Sequence, residues 1–184
     1  MPMLDAFIPR GALNPEAEER LLVRLTELLL QHEGVDPTNE RARSLAWVFV
    51  HRPEVAVAGT AAIRPHYRLI ASVPEGQYND KRRSAVVASM TEAVLDAEAG
   101  AYPRDPHRVW VLTNEVPDGS WGAGGRVARL PDIAAFVLGE SMRSATEQKL
   151  ARRRRAAATA LLTMANEEPI DARTASHSHL ATGI

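Results

Sequence analysis

The stretch Met-Pro-Met-Leu-Asp-Ala-Phe-Ile-Pro at residues 1–9, followed by Asn-Pro at residues 14–15, decides the fold. The apolar residues 3–9 predict a short strand. The asparagine can cap the free N–H groups at the start of a helix, and proline fits the first helical turn. Leucines then recur at helical spacing as far as Gly34, which predicts a helix with one buried face.

The same order of elements occurs twice along the chain. Residues 45–51, Leu-Ala-Trp-Val-Phe-Val-His, predict a second strand that completes a strand–helix–strand (βαβ) unit. Residues 67–73 and 109–113 predict two further strands, and a helix that begins at Asn79 or Asp80 lies between them. The two units start about 65 residues apart. We therefore expect an α/β (α+β) fold, in which a duplicated βαβ unit forms a four-stranded mixed sheet with two helices on one face.

The chain is expected to be one domain, residues 1–140, with a C-terminal helical extension. Its predicted parts are a first βαβ unit at about residues 2–53, a second at about 66–115, a loop with a short helix at 116–140, a C-terminal helix at 141–165 and a tail at 166–184. The tail is predicted to be disordered, because chain ends that nothing ties down are commonly so.

Composition excludes several classes of function. The 184 residues carry a net charge of -1, which does not indicate a nucleic-acid binder or a membrane-surface protein. The absence of cysteine excludes disulfides, thiolate metal sites and cysteine nucleophiles. The sequence shows neither an apolar run as long as a membrane span nor a signal-peptide pattern. We therefore expect a cytoplasmic protein without nucleic-acid or membrane partners.

Two further motifs receive structural interpretations. The four arginines at residues 152–155 have acidic residues on either side, so a solvated helix face or a contact between subunits is favoured over a nucleic-acid site. His177 and His179 are close enough in sequence to chelate a metal, but no third ligand accompanies them. No metal site is expected.

Pro2 is the main candidate for chemistry. A small second residue such as proline normally permits removal of the initiator Met, which would leave a secondary amine at the N-terminus. Burial in an apolar site, or a nearby cation, lowers the pKa of such an amine, so that it can act as a base or nucleophile. Met-Pro is also a common start with no functional meaning, so the surrounding sequence decides between the two interpretations.

Four more side chains lie where functional groups are often found. His32 continues the apolar face of the first helix at its end, with a half-buried histidine satisfied by the backbone as the alternative. Glu115 directly follows the fourth predicted strand, a position suited to acid or base catalysis. Arg68, inside the third strand, needs a carboxylate partner or a substrate. Trp121, in a glycine-rich loop, needs an anchor in a core pocket or on a partner subunit.

Taken together, these features resemble the tautomerase superfamily, and within it the cis-3-chloroacrylic acid dehalogenase and malonate semialdehyde decarboxylase type with two fused βαβ units. The resemblance rests on Pro2 before the first strand, the duplicated βαβ order and the segment Arg-Val-Trp-Val-Leu-Thr-Asn-Glu-Val-Pro at residues 108–117. The Trp-containing loop at residues 118–126 and His-Arg-Pro at residues 51–53 add to it. It covers roughly residues 2–135.

The resemblance implies roles for particular residues in an enzyme without a cofactor that assembles as a homotrimer. Pro2 matches the catalytic proline of the superfamily. Glu115 falls where the dehalogenase group has the carboxylate that positions or activates water. His32 lies at the end of the helix that supplies a catalytic histidine in that group.

The chain departs from the family pattern at the site that binds the substrate carboxylate. The related groups carry a pair of arginines just after the third strand, whereas residues 73–77 here contain none. Arg10, Arg52 and Arg68 are the alternative anchors that the sequence offers, and Arg68 is preferred. Arg82 and Arg83 are further along, on the predicted second helix.

The sequence therefore predicts a cofactor-independent tautomerase, an isomerase of a small 2-keto or enol carboxylate, with Pro2 as general base and acid. An arginine would hold the carboxylate and stabilise the enolate, and Trp47 or Trp121 would form an apolar wall that keeps the amine neutral. One alternative is a hydratase, dehalogenase or decarboxylase of a small unsaturated or 3-oxo carboxylate, in which Glu115 with His32 activates water and protonated Pro2 acts as the acid. The other is a non-catalytic trimeric protein of the same fold.

Overall fold

The computed structural model of the protein describes residues 2–166, and the tail at residues 167–184, where disorder is predicted, lies outside the described part. The elements follow in the order β1 (Met3–Phe7), α1 (Pro15–Glu33), α2 (Glu40–Ser44), β2 (Trp47–His51), β3 (Ala56–Val57), β4 (Thr60–Ala61), β5 (Tyr67–Pro74), α3 (Asp80–Ala97), a 3-10 turn (Pro106–Arg108), β6 (Val109–Val116), β7 (Gly122–Ala123), β8 (Arg126–Val127), α4 (Leu130–Leu138) and α5 (Met142–Asn166).

The ends of α1 follow the signals that its sequence carries. The Asn14 side chain accepts a hydrogen bond from the backbone N–H of Ala17 at 2.8 Å, which caps the first turn. Gly34 ends the helix at φ 80°, a left-handed conformation that glycine adopts without steric cost. These two residues fix where α1 begins and ends, and therefore which side chain is its last.

The main sheet has the strand order β2-β1-β5-β6. β1 pairs with β2 and β5 pairs with β6 in parallel, whereas β1 and β5 run antiparallel at the centre. Each βαβ unit thus contributes one parallel pair, and the two units meet at the β1–β5 junction. This topology confirms the predicted duplicated βαβ fold with a mixed four-stranded sheet.

The core lies between one face of this sheet and the helices α1 and α3. Alternate strand residues point into it, as the two-residue period of a strand requires. Its fully buried members include Leu4, Ala6 and Ile8 of the first unit, Leu69, Ala71 and Val73 of the second, and the helix residues Leu25, Leu29, Met90 and Val94. No helix of residues 2–166 covers the opposite face of the sheet, where Trp47, Phe49, Trp110 and Leu112 are exposed.

The structure adds elements that the sequence did not predict. α2 lies before β2, two short hairpins (β3–β4 and β7–β8) occupy loops, and the short helix predicted within residues 116–140 spans Leu130–Leu138. β6 continues to Val116, because its ladder with β5 extends to the Pro74–Val116 pair. Glu115 is therefore inside the last strand of the sheet and not in the loop after it.

A buried ion pair closes the second βαβ unit. Arg108 donates to both carboxylate oxygens of Glu98 at 2.6 Å, and their side chains are only 3% and 2% exposed. The hydroxyl of buried Tyr67 donates to the same carboxylate at 3.0 Å. Burial, followed by the Glu98 charge, raises the pKa of Tyr67 well above its usual range, so that this hydroxyl stays a donor.

We expect Arg108→Met to lower the free energy of unfolding by about 3–5 kcal/mol, because it leaves the Glu98 carboxylate buried without its counter-ion. Chemical denaturation at neutral pH measures the effect. Arg104→Ala is the matched control, since Arg104 pairs with Glu92 and Asp96 on the surface, and we expect it to change stability little. Equal losses in the two variants would contradict a special contribution from the buried pair.

Candidate active site

Pro2 is fully buried immediately before β1, where its carbonyl accepts a hydrogen bond from the N–H of Trp47 at 3.3 Å. It lines a cavity of about 380 Å³, within the range of roughly 300–1,000 Å³ typical of ligand sites. The ends of α1 and α2, the start of α3, and the helices α4 and α5 supply the other walls. The predicted catalytic residue therefore lines a cavity that is partly open to solvent.

Glu33 is the carboxylate in this cavity, and sequence reasoning missed it. It is the last residue of α1, and it is buried and lines the cavity together with Pro2. Leu25, Leu29 and Glu33 follow one another at intervals of four residues, so Glu33 continues the buried face of α1. This spacing was the signal available in the sequence. Burial raises the pKa of Glu33, whereas nearby positive charge, including Arg82, opposes the rise.

His32, the histidine predicted to be catalytic, points away from this cavity. Its Nε2 lies 2.9 Å from the hydroxyl oxygen of Ser89 on α3, and it is not among the residues that line the site. Desolvation, and then the Arg82 charge, lower its pKa, so the neutral ring is favoured. Its place fits the alternative of a half-buried histidine, although its partner is a side-chain hydroxyl and not the backbone.

Three cations line the cavity opposite the carboxylate. Arg82 stands in the first turn of α3, where its guanidinium donates to the Gln77 carbonyl at 2.9 Å. Lys149 and Arg152 reach the cavity from α5. Burial, then the charges of Arg82 and Arg153, lower the pKa of Lys149. The described charged groups of the site are thus three cations and Glu33.

The remaining walls of the cavity are mostly apolar. They are formed by Leu30, Val35, Leu45, Leu130, Ile133, Ala134, Val137, Leu138, Met142 and Ala145. Pro2 also borders a second hollow, where Trp47 and Trp121 lie together with Phe49. The structure thereby brings both predicted tryptophans close to Pro2, and the β7–β8 hairpin positions Trp121, whose carbonyl accepts the N–H of Ala128 at 2.8 Å.

The three arginines expected to hold the substrate lie at the far end of the sheet. Arg68 pairs with Phe7 in the β1–β5 register and stacks over the Phe7 ring at 3.9 Å, on the face away from the helices. Phe7 is five residues after Pro2, or roughly 16 Å along a strand. The preference for Arg68 is therefore not supported, because the antiparallel pairing puts the start of β5 opposite the end of β1.

Arg52 follows the end of β2 and Arg10 follows the end of β1, so both lie at the end of the sheet that is far from Pro2. Arg52 donates to both carboxylate oxygens of Glu18, at 2.7 and 2.5 Å, and this contact lowers the pKa of Glu18. Both arginines border a separate hollow that contains neither Pro2 nor Glu33. Of the arginines named in the sequence analysis, Arg82 and Arg152 are the two that reach the cavity of Pro2.

Glu115 is engaged in the framework of the site and does not line either hollow beside Pro2. Its Oε1 accepts the backbone N–H groups of Gly76 and Tyr78, both at 2.9 Å. Its Oε2 accepts from Arg83 at 2.8 Å and from Arg153 at 3.0 Å. The carboxylate therefore ties β6 to the start of α3 and to α5.

The arginine run at residues 152–155 is largely exposed, as expected for a solvated helix face, but two of its members also bind carboxylates within the chain. Arg153 binds Glu115, and Arg154 donates to both oxygens of Glu75 at 2.8 and 2.7 Å. The Arg154 contacts hold the pKa of Glu75 down to about 2. Arg152 lines the cavity. These contacts within the chain fix α5 over the site.

Within residues 2–166, no group of three histidine, aspartate or glutamate side chains lies close enough to hold a metal ion. None of the described helices has the length and apolar character needed to cross a membrane.

No protein-family model matches the chain, and no curated protein does. Solved structures match its fold. A wild-type fused 4-OT, described as an asymmetric trimer, has a TM-score of 0.57 and 18% identity, with 68% of this chain and 95% of that one covered. N1, a member of the cis-3-chloroacrylic acid dehalogenase (cis-CaaD) family, has a TM-score of 0.58 and 19% identity, with 79% and 99% covered.

A third solved structure, Pt0534 inactivated by 2-oxo-3-pentynoate, has a TM-score of 0.55 and 19% identity, with 68% of this chain and 94% of that one covered. The fused 4-OT and cis-CaaD family structures show that this chain shares their fold, as the resemblance in the sequence predicted. The match includes nearly the whole of each relative but only part of this chain, so this chain carries additional structure.

The contacts of Glu115 predict an anchoring role. We expect Glu115→Gln to lower the free energy of unfolding by about 1–3 kcal/mol, because the amide replaces charge-assisted hydrogen bonds to two arginines. Hydrogen exchange of residues 142–155 should accelerate, which mass spectrometry measures. Glu147→Gln, an exposed change on α5, is the control and should leave both quantities unchanged. Unaltered stability and exchange in Glu115→Gln would rule out the anchoring role.

Proposed function

We propose that the protein is a cofactor-independent tautomerase of a small 2-keto or enol carboxylate, with the amine of Pro2 as general base and acid. The observation that carries this proposal is the burial of Pro2 in a cavity that also holds Glu33 and three cations. The fold shared with fused 4-OT and with a cis-CaaD family member supports it.

The proposed reaction moves one proton within a keto–enol system. Once Met1 is removed, burial and the nearby cations disfavour the ammonium form of Pro2, so the neutral amine can accept a proton from a carbon next to the substrate carbonyl. The C–H bond breaks, an N–H bond forms on Pro2, and the electron pair passes into the enolate. The Pro2 ammonium then gives its proton to the enolate oxygen, which yields the enol, or to the far carbon of a conjugated dienolate. Glu33 stabilises the ammonium between these two steps.

Arg82 is the proposed carboxylate anchor, in place of the arginine pair that residues 73–77 lack. The first turn of α3 directs it into the cavity, and the Gln77 carbonyl fixes one of its guanidinium nitrogens. Its remaining donors can bind a carboxylate and the developing enolate charge. Trp47 and Trp121 border the hollow on the other side of Pro2 and supply the apolar surroundings predicted for the amine.

The second candidate function is hydration, dehalogenation or decarboxylation, and the Glu33 carboxylate in the cavity supports it. A carboxylate in the cavity can activate water or hold Pro2 as an ammonium acid, the task first assigned to Glu115. The two candidates require opposite charges on Pro2. The rate of a base-catalysed reaction falls as pH drops below the pKa of the amine, whereas the rate of an acid-catalysed one falls as pH rises above it, so a pH–rate profile separates them.

The first prediction of this proposal concerns Pro2. We expect the protein to exchange the C3 protons of 2-oxobutanoate for deuterium in D₂O, and Pro2→Ala to slow this exchange by about 10²- to 10⁴-fold, because a tuned general base is lost. Proton NMR measures the exchange. Alanine is also small, so removal of Met1 should continue in the variant, and intact-mass spectrometry checks it in both proteins.

Labelling gives an independent test of the Pro2 amine. 2-Oxo-3-pentynoate, the compound that inactivates Pt0534, should modify the N-terminus of the wild type and leave the internal lysines unmodified. A mature protein that retains Met1 would refute every mechanism based on Pro2, because its nitrogen would then be an amide. Exchange that is equally fast in Pro2→Ala would favour the non-catalytic protein of the same fold.

The second prediction concerns the carboxylate anchor. We expect Arg82→Ala to raise the KM of proton exchange by about 10- to 100-fold, which corresponds to the loss of a charge-assisted hydrogen bond worth about 1.5–3 kcal/mol. Arg10→Ala removes the same charge at the far edge of the sheet and should leave KM unchanged. If Arg10→Ala raised KM and Arg82→Ala did not, the original set of anchors would be correct.

We also propose that three copies of the chain assemble through the uncovered sheet face. Trp47 and Trp110 are 62% and 69% exposed there, and Phe49 and Leu112 are 43% and 42% exposed. An apolar patch of this kind marks an interface between proteins. The fused 4-OT structures are described as trimers, which supports a homotrimer for this chain.

Sedimentation should therefore give a mass of about 60 kDa, three times the 20.1 kDa of one chain. Trp110→Lys should shift the mass toward that of one chain, because it places a charge in the apolar patch. Ile63→Lys is the control: Ile63 is 99% exposed but lies outside the sheet, and its change should leave the mass unaltered. A wild-type mass of 20 kDa at micromolar concentration would exclude the trimer.

A further inference from the structure

The C-terminal helix α5 supplies two of the three cations that line the cavity of Pro2. We propose that Lys149 and Arg152 of α5 bind, with Arg82, the carboxylate of a 2-oxo monocarboxylate whose apolar side chain lies against α4. The inference rests on the proposed function for the reaction, and it adds which helix selects the substrate and what chemical class the substrate has.

α5 is fixed in place by contacts that lie outside the cavity. Buried Leu150 packs against Gly76. A Cβ added at Gly76 would lie 3.3 Å from a methyl carbon of Leu150, so the two residues are in close contact. Arg153 and Arg154 bind Glu115 and Glu75. Lys149 and Arg152 are three residues apart, so they share one side of the helix and both reach the cavity.

Two cations of α5 have no carboxylate partner in the described part of the chain. Within residues 2–166, Arg153 and Arg154 pair with carboxylates of the domain, whereas neither Lys149 nor Arg152 has a carboxylate within ion-pair distance. Both line the cavity and are exposed to solvent. An anionic group that enters the cavity can therefore bind both of them together with Arg82.

Apolar side chains in the cavity would contact the rest of the ligand. Ile133, Val137 and Leu138 of α4 line the cavity, and Leu30 and Leu45 face it from other elements. These side chains provide no partner for a second carboxylate. Glu33 would repel one near Pro2. A single carboxylate with an aliphatic or aromatic side chain therefore matches the cavity, and a dicarboxylate does not.

α4 (Leu130–Leu138) and α5 (Met142–Asn166) follow the last strand of the main sheet, so the proposed selecting residues lie beyond the two βαβ units.

The test measures binding without reaction. 3,3-Dimethyl-2-oxobutanoate is a 2-oxo monocarboxylate with an apolar side chain and no hydrogen on C3, so it cannot undergo the proposed proton transfer. Calorimetry should show that it binds the full-length wild type. The double variant Lys149→Gln/Arg152→Gln should bind it at least about tenfold more weakly, as expected for the loss of charge-assisted contacts. 2-Oxoglutarate, a dianion of similar size, should bind the wild type more weakly than the monoanion.

Arg155→Gln is the matched control, because Arg155 is exposed on the same helix and donates to the Ala151 carbonyl. It should leave binding unchanged. The inference would be overturned if Arg155→Gln weakened binding as much as the double variant, or if the double variant bound as tightly as the wild type. It would also be overturned if the wild type bound 2-oxoglutarate more tightly than the monoanion, or did not bind the monoanion. If the double variant melts early, the single variants Lys149→Gln and Arg152→Gln replace it, with thermal denaturation as the check.

The outcome for the reaction is separate. A wild type that binds 3,3-dimethyl-2-oxobutanoate in an α5-dependent way but does not exchange the C3 protons of 2-oxobutanoate would refute the proposed tautomerase and keep the binding site. If the double variant Lys149→Gln/Arg152→Gln exchanges protons as fast as the wild type, the proposed reaction stands and the role of α5 is refuted.

Discussion

The central position of β1 is the constraint on which the rest of the structure depends. β1 pairs with β2 on one side and with β5 on the other, so both of its edges are used, and its alternate residues are buried under α1 and α3. A strand in this position begins inside the protein, and Pro2, directly before it, is buried for that reason. The end of α1 then places Glu33 in the same cavity. The burial of Pro2 therefore follows from the topology of the sheet and does not need a special loop.

The internal repeat extends to the ion pairs and explains why the two units differ in function. In the first unit Glu18 of α1 pairs with Arg52 at the end of β2, and in the second Arg83 of α3 pairs with Glu115 at the end of β6, with the charges reversed. A shift of about 65 residues also relates Pro2 to Tyr67 and Glu33 to Glu98. The second unit fills the equivalent place with the Tyr67–Glu98–Arg108 network, whereas the first leaves a cavity beside Pro2. One copy of the repeat thus closes its strand end with buried hydrogen bonds, and the other keeps it open.

The sequence predicted the four strands and two long helices, because apolar periodicity and the capping residues Asn14 and Gly34 act locally. It did not predict the anchors of the site. Arg68 was favoured because it lies in a strand, but the antiparallel register places it near Phe7, and register depends on contacts distant in the sequence. Glu33 was missed in favour of its neighbour His32, since a shift of one residue on a helix turns a side chain by about 100°. The contribution of α5 was also hidden, because its run of arginines resembles any solvated helix until Glu75 and Glu115 are seen beneath it.

The mixed charge of the cavity bears directly on how Pro2 would act under the proposed function. Under that proposal the charges of Arg82, Lys149 and Arg152 disfavour the ammonium form of Pro2, and the Glu33 carboxylate favours it. A bound substrate carboxylate would neutralise part of the positive charge and make the amine a stronger base when it must accept a proton. Interactions that improve only once the substrate is bound contribute to catalysis and not merely to affinity. Because two of these cations come from α5, the helix beyond the repeated units would influence the proton transfer as well as the choice of substrate.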